Sequence, residues 1–587
     1  MSNYPAGEVP LREQSPGLWG SDVIAQAIRD LGFEYVALNP GSSFRGLHDS
    51  LVNHLHNEKP QMLLCLHEEN AVAIAHGWAK VTGKPMAVVL HANVGLMHAA
   101  MAIYNAWCDR VPMVIFGATG PVDASVRRPW IDSLHTSRDQ AAVIRPYIKW
   151  DDQPASLQSA VNSVQEATLI TQTYPKAPTY VCLDVGMQEQ AVTDRIKQPA
   201  YGRYATPSVP NPNTADLELL CEYLDKAQKA IFVLGRVSNR PSDWHTRVAV
   251  AEHWNAQVIT DIKTGATFPT NHSLHAGPAS FFLSAEQEDL LREADLIVFF
   301  DCIDAGATLG KAGGVGTVIN VTLDHVLKNG WSFDQGQPAF CDLHIGTSPE
   351  ACFTALAHKE NLETNRSFDL GRRSTVDLQP GSSVIDMGQL AAALWEGFQD
   401  APVTLVRLPL GWDASHWHFL HPMDYLGYDG GAGIGSGPGM LVGAALALQN
   451  QDRLPVAVLG DGDTMMGLSA LWTAAHYRIP MLVVVCNNQS FFNDEVHQEK
   501  VARMRARPVE NKAIGQAIVD PEIDFAQLAQ AQGLIGIGPI HRPSDLSNAV
   551  YEGLESVKRG LTVLIDARVR PSYAQAMNEG MTQSSKS

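Results

Sequence analysis

The segment LPVAVLGDGDTMMGLSALWTAAHYRIPMLVVVCNN, residues 454–488, decides the fold of this chain. It contains two short apolar runs, 454–459 and 481–486, which are typical of buried parallel strands. Between them, residues 469–477 have the length and composition of a helix that crosses from one strand to the next. The segment therefore predicts a strand–helix–strand unit of an open α/β sheet.

Polar residues follow both predicted strands. The tripeptide Gly-Asp-Gly at 460–462 comes after the first strand, and the pair Asn-Asn at 487–488 comes after the second. The carboxyl ends of parallel strands form the edge at which open α/β sheets bind ligands. There, the Asp461 carboxylate, the Asn488 amide oxygen and the Ser490 carbonyl would form an all-oxygen set that suits Mg²⁺. The same residues could also form two ordinary polar turns, so the spacing leaves both interpretations open.

Length and composition restrict the class of protein. The chain has 587 residues, enough for about three or four domains, and its 45% hydrophobic and 18% charged content is typical of globular proteins. A net charge of −19 argues against nucleic acid or an anionic membrane as the main partner. Eight cysteines without a CxxC pair indicate neither a disulfide framework nor a zinc site, so we expect a reducing, cytoplasmic setting. The N-terminal segment has no apolar signal core, and no apolar run approaches the ~18 residues that span a bilayer.

The first third of the chain alternates apolar runs with helical segments. Predicted strands, each followed by a polar or glycine-containing turn, lie at residues 35–38, 62–66, 85–90, 111–116 and 179–183. The second of these leads to Glu68 at the start of a long predicted helix, residues 71–80. A carboxylate there could simply stabilise the positive end of the helix. The alternation itself predicts a doubly wound parallel sheet.

Two polar stretches without clear periodicity divide the chain into domains. They lie at residues 193–213 and 358–380, and both predict linkers. Between them, further strands are predicted at 231–234, 296–300 and 318–321. We therefore expect three α/β domains, at residues 1–195, 205–365 and 385–587. The middle one lacks GxGxxG, so a dinucleotide-binding fingerprint is not indicated.

The sequence HEENAVAIAHGWAKVTGKP, beginning at His67, resembles a segment of the thiamine diphosphate (ThDP) enzymes of the acetolactate synthase and benzoylformate decarboxylase family. The resemblance continues through LHANVGLMHAAMAIYNAW, VPMVIFGATG and KWDDQPAS, and NPGS at 39–42 is similar to a turn of benzoylformate decarboxylase. GDG followed by a double asparagine resembles the ThDP signature. The resemblance implies three doubly wound parallel-sheet domains, which are pyrimidine-binding, central and diphosphate-binding in chain order.

The resemblance also implies functions for particular residues. Glu68 would be the activating glutamate, Ala432 would offer a carbonyl to the cofactor's aminopyrimidine, and Ile434 would lie behind its thiazolium. The other positions implied to contact the cofactor are Gly433, Gly460, Gly462, Asp463 and Thr464. Many relatives have serine where Asp463 stands, so Thr464 is expected to take the diphosphate contact instead.

Candidate substrate residues come from both ends of the chain. Ser42 and His91 match catalytic positions of the benzoylformate decarboxylase pocket, and a histidine can exchange protons near neutral pH. A histidine at a strand end can equally be structural. Further pocket candidates are His135, Asn493, Asp494 and His497. Helix faces account for the histidines at positions 67, 76 and 98.

The function implied is that of a ThDP- and Mg²⁺-dependent enzyme that makes or breaks a C–C bond next to a carbonyl. Its substrates would be small 2-oxo acids, aldehydes or acyloins. One alternative is a 2-oxo acid decarboxylase like benzoylformate decarboxylase, and another is a non-catalytic ThDP-binding subunit. The central domain binds FAD in some members, and no residue decides this here. Family sites combine two subunits, so a homodimer or homotetramer is expected, without nucleic-acid or membrane partners.

Overall fold

The computed structural model describes residues 8–12, 17–193, 196–197, 199, 201–313, 316–327, 340–364, 384–398, 401–412 and 414–573. These residues form three sheets in which every strand pair is parallel. The predicted fold class, three parallel-sheet α/β domains, is confirmed.

The first sheet has six strands. They are β1 (Tyr35–Leu38), β2 (Gln61–Leu64), β3 (Ala87–Val89), β4 (Val114–Thr119), β5 (Trp150–Asp152) and β6 (Thr179–Asp184). Their spatial order is β2-β1-β3-β4-β6-β5. The helices are α1 (Gly20–Asp30), α2 (Arg45–Asp49), α3 (Glu68–Thr82), α4 (Ala92–Cys108), α5 (Ile131–Leu134), α6 (Leu157–Gln172) and α7 (Val185–Glu189).

The middle sheet has five strands. They are β7 (Ala230–Leu234), β8 (Gln257–Ile259), β9 (Leu296–Phe300), β10 (Thr317–Val321) and β11 (Leu343–Ile345). Their order is β11-β10-β9-β7-β8. The helices are α8 (Thr214–Lys226), α9 (Pro241–His253), α10 (Ala285–Glu293), α11 (Ala305–Ala312) and α12 (Pro349–Lys359).

The third sheet contains the two strands predicted from residues 454–488. Its strands are β12 (Val403–Arg407), β13 (Leu454–Gly460), β14 (Met481–Asn487), β15 (Ile535–Ile540) and β16 (Thr562–Arg568), in the order β12-β13-β14-β16-β15. The helices are α13 (Met387–Gly397), α14 (Gly437–Leu448), α15 (Asp461–Met466), α16 (Ser469–His476), α17 (Phe492–Met504), α18 (Phe525–Ala531) and α19 (Pro543–Lys558). Every residue of β14 is buried, as expected for a central strand covered on both faces.

Helices α3 and α14 join the first and third sheets. Their backbones touch, because a Cβ on Gly77 would lie 1.9 Å from the Met440 carbonyl oxygen. A Cβ on Gly443 would likewise lie 1.8 Å from the Ile74 carbonyl oxygen. Only glycine allows such an approach. This contact connects α3, which begins at Glu68, to α14, which begins within the glycine-rich run GGAGIGSGPG at residues 430–439.

Several predicted bounds differ from the observed ones. Helix α3 begins at Glu68 rather than at residue 71, because His67 caps it by accepting a hydrogen bond from the Glu69 amide at 3.2 Å. Strand β5 and helix α6 were not predicted. The predicted linker 358–380 begins inside α12, and its residues 365–380 lie outside the described part of the chain. No helix among the described residues is long and apolar enough to cross a membrane.

Candidate functional site

Asp461, Asn488 and Ser490 meet at the carboxyl edge of the third sheet. Strands β13 and β14 are paired in register, so Asp461, the first residue of α15, lies beside the turn that follows β14. The Ser490 amide donates to Asp461 Oδ2 at 3.2 Å and to Asn488 Oδ1 at 3.0 Å. Burial raises the pKa of Asp461 to about 6. The predicted metal ligands therefore lie together at this edge of the sheet.

These three residues line a cavity of about 370 Å³. Its walls come from residues between Met387 and Tyr573. The residues singled out from the sequence that line it are Ala432, Ile434, Gly460, Asp461, Gly462, Asp463, Asn488, Ser490, Asn493 and Asp494. A buried carboxylate, an amide oxygen and a backbone turn form a hard, all-oxygen donor set that fits Mg²⁺ with a diphosphate. The residues present therefore fit the implied metal and cofactor.

The glycine-rich run that precedes α14 is held from two sides. Ala432 has a left-handed backbone (φ 57°), and its amide donates to Asp429 Oδ1 at 2.9 Å. From the first sheet's domain, the Asn105 side chain donates to the Gly433 carbonyl at 3.0 Å and to Ser436 Oγ at 2.9 Å. Gly433 thus faces Asn105 and does not line the cavity, whereas Ala432 does.

The Asp463 carboxylate is held by the start of α14. Its Oδ1 accepts hydrogen bonds from the amides of Gly435 at 2.7 Å and Gly437 at 3.3 Å. Its Oδ2 lies 3.5 Å from Arg407 Nη2. The negative charge of Asp463, which would repel a diphosphate, is therefore offset by the Arg407 guanidinium and by the amides at the start of α14.

Arg407 is a functional candidate that the sequence did not reveal. It is 1% exposed, pairs with Asp429 at 2.9 Å, and its guanidinium lies 3.3 Å from the Tyr428 ring centroid. Burial alone would lower the pKa of Arg407, but the neighbouring carboxylates Asp429 and Asp463 raise it above its ordinary value. It lies at the end of an apolar strand, where the sequence signals only a buried position.

The position of Thr464 does not favour the diphosphate contact that the sequence predicts for it. Its side chain is fully buried, and its hydroxyl donates to the Gly460 carbonyl at 2.8 Å, within the first turn of α15. It is not among the residues that line the cavity. His497 also lies elsewhere, because it lines a separate cleft with Arg505 and Arg507.

Glu68 lies among histidines at the start of α3. It is buried, and His98 Nδ1 lies 3.1 Å from its Oε2. The His98 ring stacks on His67, with centroids 5.1 Å apart. The donor atoms of these three residues all lie within 4.8 Å of one another. His98 was interpreted from the sequence as part of a helix face, yet it contacts the predicted activating glutamate. The contact joins two helices, so helical periodicity could not reveal it.

His91 makes its closest polar contact with Ser43 rather than with Ser42. Ser43 Oγ lies 2.8 Å from His91 Nδ1, whereas Ser42 is exposed. The predicted pocket residue His135 packs edge-on against His91, with centroids 4.8 Å apart. Burial, and then the neighbouring His135, lower the pKa of His91. The structure therefore brings His91 and His135 together and adds Ser43.

Two family models match the chain. The N-terminal TPP binding domain of thiamine pyrophosphate enzymes matches residues 18–143, and the C-terminal TPP binding domain matches residues 410–567. Thiamine pyrophosphate is the same compound as ThDP. The first match contains Glu68, and the second contains both Asp461 and Asn488.

Similar proteins and solved structures point to the same family as the two matched family models. The acetolactate synthase large subunit of Haemophilus influenzae is 23% identical over 94% of this chain and 95% of its own length. Benzoylformate decarboxylase of Pseudomonas aeruginosa is 23% identical over 73% and 79%, respectively. A ThDP-dependent 4-hydroxybenzoylformate decarboxylase from Rhodococcus jostii shares the fold, with a TM-score of 0.75, 21% identity, and coverage of 95% of this chain and 100% of its own. The chain belongs to the thiamine pyrophosphate enzymes, the family that includes the acetolactate synthases and benzoylformate decarboxylase.

Proposed function

We propose that this protein uses ThDP and Mg²⁺ to make or break a C–C bond next to the carbonyl group of a 2-oxo acid, an aldehyde or an acyloin. The observation that carries the proposal is the convergence of Asp461, Asn488 and Ser490 on one cavity. Asp461 and Asn488 would hold the metal through side-chain oxygens, and Ser490 would do so through its carbonyl.

The chain's own residues would orient the cofactor and control protons. When bound, ThDP supplies the electron sink for chemistry at the substrate's carbonyl carbon. Ala432 and Ile434 line the same cavity as the proposed metal ligands and would orient the two rings of the cofactor. Glu68 would hold a proton at the aminopyrimidine ring, and its contact with His98 limits how its carboxylate can turn.

His91 would act on the substrate. Its lowered pKa keeps the imidazole neutral at neutral pH, so that it can donate one hydrogen bond and accept another. His135 packs against it and would form a second wall of the pocket. Asn493 and Asp494 line the cavity at the start of α17 and would make the pocket polar.

Carboligation and decarboxylation are both candidates for the reaction. The matched acetolactate synthases favour the first, and a matched benzoylformate decarboxylase favours the second. Assays with pyruvate and benzoylformate separate them by their organic product, because both reactions release CO₂ but decarboxylation leaves the free aldehyde and carboligation leaves a coupled hydroxyketone product. A non-catalytic ThDP-binding subunit is the third candidate, and it predicts cofactor binding without turnover of either substrate.

We place the active site between two subunits of a homodimer or homotetramer. The residues that line the Asp461 cavity come from the last third of the chain, while Glu68 lies in the first. Exposed apolar side chains that a second subunit could cover occur in both parts of the chain. Leu66 and Met97 lie in the first third, and Met465 and Met466 lie in the last third. We also propose a cytoplasmic location, in keeping with eight cysteines that contain no CxxC pair.

A flavin in the central domain would accompany an electron-transferring variant of the reaction. A cavity of about 150 Å³ lies beside the ends of β7 and β8 and is lined by Asp261, Lys263 and Asp304. A yellow purified protein with flavin absorbance would support FAD binding, and a colourless active protein would oppose it.

The test of the proposed function is the Glu68→Gln variant. It keeps the size of the side chain and removes the proton-holding carboxylate, so we expect ThDP-dependent turnover to fall by about 10²-fold or more. Calorimetry on the same variant shows whether the cofactor still binds. Full ThDP-dependent turnover by Glu68→Gln would contradict the assignment of Glu68.

A further inference from the structure

We infer that Ser43 is a positioning residue that fixes the tautomer and orientation of His91, so that Nε2 carries the ring hydrogen and is presented as a donor to the substrate. The inference rests on the proposed function for the part His91 plays in the reaction. The tautomer of His91 is argued from contacts within the chain and does not depend on the proposed reaction.

The His91 ring is held on three sides. Ser43 Oγ lies 2.8 Å from Nδ1, and His135 packs edge-on at 4.8 Å. On a third side, a Cβ added to Gly41 would lie 2.5–2.8 Å from His91 Cβ, Cγ and Nδ1, so the backbone of this turn touches the ring. The ring has little room to rotate.

Ser43 is itself fixed. It is 3% exposed, and its carbonyl accepts a hydrogen bond from the Gln188 side chain at 3.2 Å. Its hydroxyl oxygen accepts a hydrogen bond from the Ala92 amide at 3.0 Å. Gln188 also accepts from the Leu47 amide at 3.3 Å, which ties this turn to α2. The hydroxyl is therefore a rigid part of the scaffold.

The hydrogen-bond inventory decides the tautomer. A serine hydroxyl has one hydrogen to donate, and the Ser43 oxygen already accepts from the Ala92 amide. Among the described residues, His91 Nδ1 is the one acceptor recorded for that hydrogen. If Nδ1 carried the ring hydrogen, the buried hydroxyl hydrogen would have no partner, which is unfavourable. The arrangement in which Ser43 donates to Nδ1 leaves the hydrogen on Nε2.

This assignment gives adjacent serines different functions. Ser42 is exposed and makes no recorded side-chain contact with His91 among the described residues, while Ser43 acts through His91. A neutral imidazole held by its Nδ1 offers Nε2–H in one fixed direction, so a carboxylate or carbonyl oxygen of a 2-oxo acid is the group it would bind. The pairing also favours the neutral ring, since protonating Nδ1 would require the hydroxyl to turn.

The test is a ¹⁵N–¹H spectrum of the full chain labelled at histidine, recorded at neutral pH. The signal that disappears in His91→Asn identifies His91. In the wild-type chain we expect Nδ1 to be unprotonated and Nε2 protonated. Ser43→Ala should shift both signals toward the average of two tautomers, while the matched variant Ser42→Ala should leave them unchanged. The other histidine signals report whether each variant is folded.

Kinetics provide the second readout. On whichever 2-oxo acid is turned over, we expect Ser43→Ala to lower kcat about tenfold with little change in KM, because the donor is misdirected rather than removed. A protonated Nδ1 in the wild-type chain, or the same spectrum in Ser43→Ala as in the wild type, would overturn the inference. The tautomer is measured without substrate, so it stands or falls separately from Glu68→Gln and the proposed function.

Discussion

Gly41 shows how closely the site is packed at the scale of single residues. It has no side chain, and its backbone φ of −152° is one that any residue can adopt. A larger residue is excluded by lack of space, because an added Cβ would lie only 2.5–2.8 Å from Cβ, Cγ and Nδ1 of His91. The absence of a side chain at Gly41 therefore allows close contact with a catalytic candidate.

Gly41→Ala is expected to displace the His91 ring and to lower kcat by about 10²-fold, the range of a lost proton-transfer group. ThDP affinity should be unchanged, because the proposed metal ligands Asp461, Asn488 and Ser490 lie at the edge of the third sheet and Gly41 lies beside the first. Gly310→Ala is the control, since a Cβ there meets nothing within 4 Å. Equal kcat values for Gly41→Ala and the wild type would show that His91 does not act in the reaction.

Arg407 neutralises two buried carboxylates. Replacing it with methionine would leave Asp429 and Asp463 without their cation, so we expect the free energy of unfolding to fall by about 3–5 kcal/mol. Urea unfolding measures this loss. Adding Asp463→Ser to Arg407→Met should restore part of the stability, because it removes one uncompensated charge. A double variant less stable than Arg407→Met would contradict the pairing.

At the scale of elements, the backbone contact between α3 and α14 joins the first and third sheets within one chain. Gly443→Ala would place a Cβ 1.8 Å from the Ile74 carbonyl oxygen, so the helices must separate. We expect a loss of about 1–3 kcal/mol in unfolding free energy, the usual cost of overpacking. Calorimetric melting of Gly443→Ala and of the control Gly310→Ala measures this loss. Equal melting temperatures for the two variants would contradict the close approach of the helices.

The elements that could be predicted from sequence are those with a strong apolar signal. Strands β9 and β13 are continuous apolar runs and were predicted within one residue of their observed bounds. Strand β5, Trp150–Asp152, is short and ends in two aspartates, so no apolar run marks it. Asp461 and Asn488 could be singled out because polar residues follow two such runs. Ser43, His98 and Arg407 were missed because their partners lie in other elements, which periodicity along one element cannot reveal.

At the scale of the whole molecule, the proposed site combines Glu68 from the first third of the chain with the Asp461 cavity from the last third. If Glu68 of one subunit serves the Asp461 cavity of another, two inactive variants can complement each other. Mixing Glu68→Gln with Asp461→Asn and allowing subunits to exchange should restore about a quarter of wild-type activity, since half of randomly formed dimers then contain one intact site. An inactive mixture whose subunits have exchanged would mean that each site forms within one chain.

The central claim is that Asp461, Asn488 and Ser490 form the Mg²⁺ site that holds ThDP. It is tested most directly by calorimetric titration of the full chain with ThDP, with and without Mg²⁺. We expect wild-type protein to bind ThDP when Mg²⁺ is present and to lose most of that affinity in EDTA or in Asp461→Asn, which keeps the size of the side chain but removes its charge. Equal ThDP affinity in Asp461→Asn and the wild type, or affinity that is unaffected by removing Mg²⁺, would contradict the account.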